Sequence, residues 1–140
     1  MKLFIDANVL ITVLNKELIS FTDCARLLSL ADHRKFELFT SPMCLGISFY
    51  FAQKKSGEDL AKKKIEFLCS KLSISSHSAK DIKATLQNKQ IHDFEDGLEY
   101  YSALSSNCKC IITNYTQDFY FSEIEVLRPN EFLMKYAVQS

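Results

Sequence analysis

Short apolar runs alternate with longer stretches of helical period along this chain. Leu3-Phe4-Ile5 is continuous and apolar, as a strand buried on both faces must be. A second apolar run, Val9-Leu10-Ile11, follows after Asp6 and Asn8. The pattern predicts a strand over 2–5, a helix over 10–14, and Asp6 and Asn8 at the junction between them. Thr22 or Asp23 is a candidate cap for a second helix with Ala25, Leu27, Leu28 and Ala31 inward. Residues 36–39 form the next short strand. Ser41-Pro42 places a cap and a first-turn proline at the start of a helix that runs to about residue 54. Ser56-Gly57 breaks it, and 58–71 is amphipathic, with Lys62, Lys63 and Lys64 on the solvent side. Residues 72–75 read as a weak third strand. Ser78 with Asp81 has the form of a capping box for a helix reaching about Asn88. Asp93-Phe94-Glu95-Asp96 opens another helix, which carries Leu98, Tyr101, Ala103 and Leu104 inward. Strands are expected over 110–113 and 126–127, and a last helix starts at Pro129.

Strands that alternate with helices pair in parallel, with helices over both faces of the sheet. The expected fold class is therefore α/β, a three-layer α/β/α sandwich around a short parallel sheet, in one domain over 1–140. Its length of 140 residues suits one core. The three glycines are scattered and form no phosphate-binding loop, which argues against Rossmann and P-loop nucleotide sites.

Charge removes another class. Lys+Arg and Asp+Glu stand at 17 each, so no global positive field marks a duplex-binding protein. A local groove for RNA remains compatible with that balance. The cysteines are five, an odd number, and no signal-like leader precedes them, which points to a reduced, cytoplasmic setting without a membrane span. Cys108 and Cys110 lie two apart on one strand face and read as small core residues.

The acidic residues carry the chemistry. In parallel sheets, ligands bind beyond the C-terminal strand ends, near the switch in strand order. Asp6 follows the first strand, Asp118 follows the fourth after a short loop, and Asp96 lies in the first turn of the helix that feeds that strand. Gathered carboxylates repel unless a cation stands between them. Oxygen donors of this kind suit Mg2+ or Mn2+. Each residue also has a plain structural reading: Asp6 and Asp93 as helix caps, Asp96 as a partner of the helix dipole, Asp118 as a turn residue. The three histidines read as surface residues, and the lysine runs as a solvated face or as phosphate contacts.

"FIDANVLI", "HDFEDGLEYYSAL" and "IITNYTQDF", with the closing "VLRPNEFL", resemble the PIN-domain family, which includes VapC-type toxin ribonucleases. The resemblance implies metal-dependent cleavage of RNA, frequently by a homodimer that a small antitoxin protein restrains. It makes Asp6, Asp96 and Asp118 the expected metal ligands and catalytic acids, with Asn8, Thr113, Asn114 and Asp93 supporting them. Two positions depart from the family pattern. Ile47 stands where a Glu or Asn is usual, and Tyr115 where Asn or Asp follows an Arg that is missing here. Those departures keep open a second class, a catalytically degenerate PIN-like domain that acts by binding protein or RNA. A third, a haloacid-dehalogenase-type phosphatase with Asp6 as nucleophile, lacks its second Asp, because Asn8 occupies that place.

Overall fold

The computed structural model describes residues 1–137, so the last three positions of the expected 1–140 span lie outside the described residues. Five strands form one parallel sheet: β1 Lys2–Ile5, β2 Glu37–Thr40, β3 Ser73–Ile74, β4 Cys110–Ile112 and β5 Glu125–Leu127. Their order is β3-β2-β1-β4-β5. The helices are α1 Ala7–Leu14, α2 Phe21–Ser29, α3 Pro42–Ser56, α4 Glu58–Lys71, α5 Ala79–Gln87, α6 Phe94–Ser105 and α7 Pro129–Phe132, the last continued by a π-helical turn. None is long and apolar enough to cross a membrane.

The order dictates the layers. The chain steps outward from β1 to β2 and β3, then returns to place β4 on the other side of β1. Right-handed crossovers in the two directions put their helices on opposite faces. Accordingly α1, α2, α3 and α4 pack on one another, while α5 pairs with α6. The α/β/α sandwich expected from the alternation is the architecture found. Leu3, Phe4 and Ile5 of β1 and Cys110, Ile111 and Ile112 of β4 are fully buried, whereas the edge strands β3 and β5 are half-exposed. Cys108 joins Cys110 in the core.

The differences from the sequence pattern are small and local. Helix α1 begins at Ala7 rather than residue 10, because Asp6 caps it directly in an extended conformation. Strand β2 starts one residue later than the apolar run, set by its register with β1, Phe4 opposite Phe39. Phe36 packs its ring against Phe132 instead, centroids 5.7 Å apart. The lysine runs turn out partly structural. Lys64 donates to the Leu14 carbonyl at 2.8 Å and Lys55 to that of Asn15, so two cations satisfy the C-terminus of α1.

Helix α6 enters the site at an angle fixed by Gly97. A Cβ there would meet Thr85 Cγ2 at 2.5 Å and Ile91 Cγ2 at 2.8 Å, both on β-branched side chains with little room to turn. Gly97→Ala is expected to lower stability by about 1 kcal/mol: overpacking costs about 1–3 kcal/mol, and the better helix propensity of Ala returns about 1. Thermal unfolding should register this as a loss of about 4 °C. A melting temperature that rises would mean that α5 yields without cost.

Candidate functional site

Asp6 leaves β1 at the point where strand order switches, between β1 and β4. Its amide continues the β1–β4 ladder by donating to the Ile112 carbonyl at 3.0 Å. The side chain is held by three donors. Oδ1 accepts from the Ala7 amide at 2.8 Å, and Oδ2 accepts from Asn8 Nδ2 at 2.8 Å and from the Thr113 hydroxyl at 3.0 Å. Asn8 is fixed in turn, since its Oδ1 accepts from the Asn114 amide at 2.8 Å. Asp6, Asn8, Thr113 and Asn114 thus form one polar network across the ends of two strands. The Asn114 side chain extends it toward the Thr12 hydroxyl at 3.4 Å.

The second wall comes from α6. This helix precedes β4, so it runs against the strands and its first turns lie at their C-terminal edge. Asp93 caps it, accepting from the Asp96 amide at 3.2 Å. Asp96 and Glu99 are three apart and share one helix face. Glu99 is buried, 1% exposed, at the start of α3. The Ser41 hydroxyl lies 2.9 and 2.7 Å from its two oxygens, and the Cys44 thiol donates to Oε2 at 2.5 Å. Ser41 also caps α3 by accepting from the Cys44 amide at 3.0 Å. Behind Glu99, His77 Nε2 stands 3.4 Å from Oε1 without the alignment of a hydrogen bond.

Asp118 sits on a 3-10 turn, Thr116–Phe119, and is exposed. Its charge nevertheless reaches both Asp6 and Asp96. Among the described residues, none of Asp6, Asp96, Glu99 and Asp118 pairs with a lysine or arginine. The consequence is visible in their acidities. Burial raises the Asp6 carboxyl above its ordinary range, against the lowering effect of its hydrogen bonds. Burial, then the charges of Asp93, Asp6, Asp118 and Glu95, push Asp96 up to about 7. Burial likewise pushes Glu99 up to about 7, although the hydrogen bonds from Cys44 and Ser41 oppose it. Cys44 is raised well above the usual thiol value by burial and by the charges of Glu99 and Asp6.

The tightest grouping differs from the expected set. Among the described residues, one group of three has ligand atoms all within 4.8 Å of one another: Asp6, Cys44 and Glu99. Asp96 and Asp118 are outside that group; the charge of Asp118 raises Asp6, and the charges of Asp6 and Asp118 raise Asp96. The sequence pattern assigns no site role to Cys44 or Glu99; it gives Ser41 as the cap that it is, but it reads His77 as a surface residue, whereas both of its ring nitrogens are buried. A signal was there: Glu99 is flanked by Leu98 and Tyr100 and stands one helical turn before Ala103, on a stretch otherwise turned toward the core.

The PIN domain family model matches residues 2–116, most of the chain. The chain belongs to the PIN-domain family. It is 25% identical over 139 residues to Ribonuclease VapC1 of Aquifex aeolicus (strain VF5), covering 96% of this chain and 95% of that one. Its fold is similar to that of VapBC2 from Rickettsia felis, solved bound to a DNA fragment from its promoter, with TM-score 0.66, 22% identity and coverage of 91% and 98%. It is also similar to the sarcin-ricin loop cleaving toxin VapC20 of Mycobacterium tuberculosis, with TM-score 0.62, 12% identity and coverage of 78% and 86%.

In this PIN domain the two departing positions are now placed. Ile47 packs against the core, so no polar group enters from that point of α3. The carboxylate that does meet the N-terminal turn of α3 is Glu99, contributed from α6. Tyr115 is 53% exposed, with its amide donating to the Thr113 hydroxyl at 3.2 Å.

Proposed function

We propose that this PIN domain is a metal-dependent endoribonuclease that cleaves single-stranded RNA. One observation carries the reading: a carboxylate held at the sheet's switch point by hydrogen bonds, within the field of Asp118, with no lysine or arginine paired to either acid among the described residues. The donor set fits a divalent cation. Oxygen ligands dominate, and repulsion among them is what such an ion relieves. Asp6, Asp96 and Asp118 would hold Mg2+ or Mn2+, which supplies Lewis-acid polarisation of the phosphodiester and activation of the attacking water.

The chain's own residues do the rest. Asn8 and Thr113 orient the Asp6 oxygens by hydrogen bonds to Oδ2, and the Asn114 amide orients Asn8. Asp93 fixes the first turn of α6 and so the position of Asp96. In the metal-free protein Asp96 stands at about 7, so a cation bound there near neutrality would displace its proton. Tyr115 is exposed in the same groove as Asn8 and Asn114 and suits stacking on an unpaired base. The similarity to Ribonuclease VapC1 supports RNA as substrate. A small antitoxin partner is in keeping with the likeness to VapBC2. A homodimer would have the exposed Tyr50 and Phe51 of α3 as candidate contacts.

Purified protein is expected to cleave single-stranded RNA with Mn2+ or Mg2+ and to stop when EDTA is added. Equal cleavage in both conditions would end the reading. The degenerate alternative draws on the apolar packing of Ile47. It predicts that calorimetric titration with Mn2+ shows no binding that depends on Asp6.

A further inference from the structure

We infer that Glu99 and Cys44 are ligands of the same cation as Asp6, so that the centre carries a sulfur donor and takes Co2+ or Zn2+ in preference to Mg2+. The inference rests on the reading above in one respect, that a divalent cation binds at Asp6. Three ligand atoms, two carboxylate oxygens and one sulfur, already converge within 4.8 Å of one another. Cys44 Sγ lies 3.9 Å from Asp6 Oδ1 and 2.5 Å from Glu99 Oε2, so it stands between the two carboxylates. They arrive from three segments: the end of β1, the first turn of α3 and the second turn of α6. Ser41 fixes both partners at once, with its hydroxyl at the Glu99 oxygens and its Oγ accepting from the Cys44 amide. His77 backs Glu99 from the far side, and neither of its buried ring nitrogens has an aligned hydrogen-bond partner among the described residues.

The chemistry of the set decides the preference. A buried carboxylate with no lysine or arginine partner is costly unless it is protonated or bound to a cation. Glu99 makes up for the carboxylate that Ile47 does not provide. Thiolate is a soft donor that favours Zn2+ and related ions, whereas Mg2+ wants oxygen and retained water. Ligation exchanges a proton for the metal: the S–H bond of Cys44 breaks, the proton leaves to water, and the sulfur electron pair goes to the cation.

Titration of the metal-free full chain with Co2+ tests this. The expected result is a near-ultraviolet sulfur-to-cobalt absorption band that Cys44→Ser removes and that excess Mg2+ does not displace. Glu99→Gln should weaken Co2+ binding about 10-fold or more. Cys69 is exposed, so a band that persists in Cys44→Ser belongs there and counts against the inference. Should the variants fail to fold, cadmium NMR of the unaltered chain decides: a resonance in the sulfur-ligated range supports the inference, and one in the all-oxygen range overturns it. An all-oxygen resonance together with Mn2+-dependent RNA cleavage would leave the nuclease reading standing. Absence of any cation binding would remove both.

Discussion

Asp6→Asn is expected to reduce metal-dependent RNA cleavage at least about 100-fold while the protein stays cooperatively folded. The lower bound comes from metal sites in general, where even residues outside the ligand shell cost about 10–100-fold. The stability half of the prediction comes from the local structure. Asp6 caps α1 through Oδ1, and Asn is an equally good cap. The amide of Asn keeps one oxygen for the Ala7 donor. It loses the charge, which burial and the field of Asp118 make unfavourable in the metal-free protein, and it sets an NH2 group where Oδ2 accepted from Asn8 and Thr113, so the two effects on stability oppose each other. A residue whose sole task is to start a helix would give an active Asn variant. A residue that holds a cation would give a folded and inactive one. Measuring cleavage and thermal unfolding on the same preparation separates the two, and full activity in Asp6→Asn would remove the nuclease reading.

What the sequence reveals follows from the range of the interactions involved. Elements set by neighbours in the chain are legible. Ser41-Pro42 starts α3, Gly57 at φ 84 ends it, and the Ser78–Asp81 box starts α5. The apolar run of β1 is legible for the same reason, since burial on both faces leaves no place for polar residues. Of the site, Asp6 could be read because strand ends in a parallel sheet have one destination, and Asn8 and Thr113 only through the resemblance to the PIN-domain family. Glu99 could not. Its burial depends on Ser41 and Cys44, which are 58 and 55 residues away in sequence, and on His77 across the loop before α5. Its apolar neighbours Leu98, Tyr100 and Ala103 mark it as facing inward, but no local pattern names the partners it meets there. Lys55 and Lys64 illustrate the reverse. They read as surface charge, yet they close the end of α1 some 40 and 50 residues upstream.

The metal-free protein is expected to be more stable near pH 5 than near pH 8 by about 3 kcal/mol from Glu99 alone, or about 10 °C in melting temperature. Burial displaces this carboxyl from an ordinary 4.5 to about 7, with the Cys44 and Ser41 hydrogen bonds opposing. Between those two values the folded chain retains a proton that the unfolded chain has released. Stability therefore falls as pH rises through the window, and the contribution is gone above pH 7. Asp96 is displaced from 3.8 to about 7 and acts in the same direction, though solvent screens this half-exposed group and reduces its share. Glu125 does not mask the effect. Burial raises its pKa, but the stronger combined pull of Lys135 and Tyr136 lowers it, so it titrates below the window. Glu99→Gln keeps a neutral side chain of the same shape and should remove most of the slope. A bound cation competes with the retained protons, so Mn2+ should stabilise the protein more at pH 8 than at pH 5. Urea unfolding at pH 5, 6, 7 and 8, with EDTA and with Mn2+, measures all of this. A metal-free protein equally stable at both extremes would mean that Glu99 ionises without cost, and that the acidic site needs no cation to hold its charge.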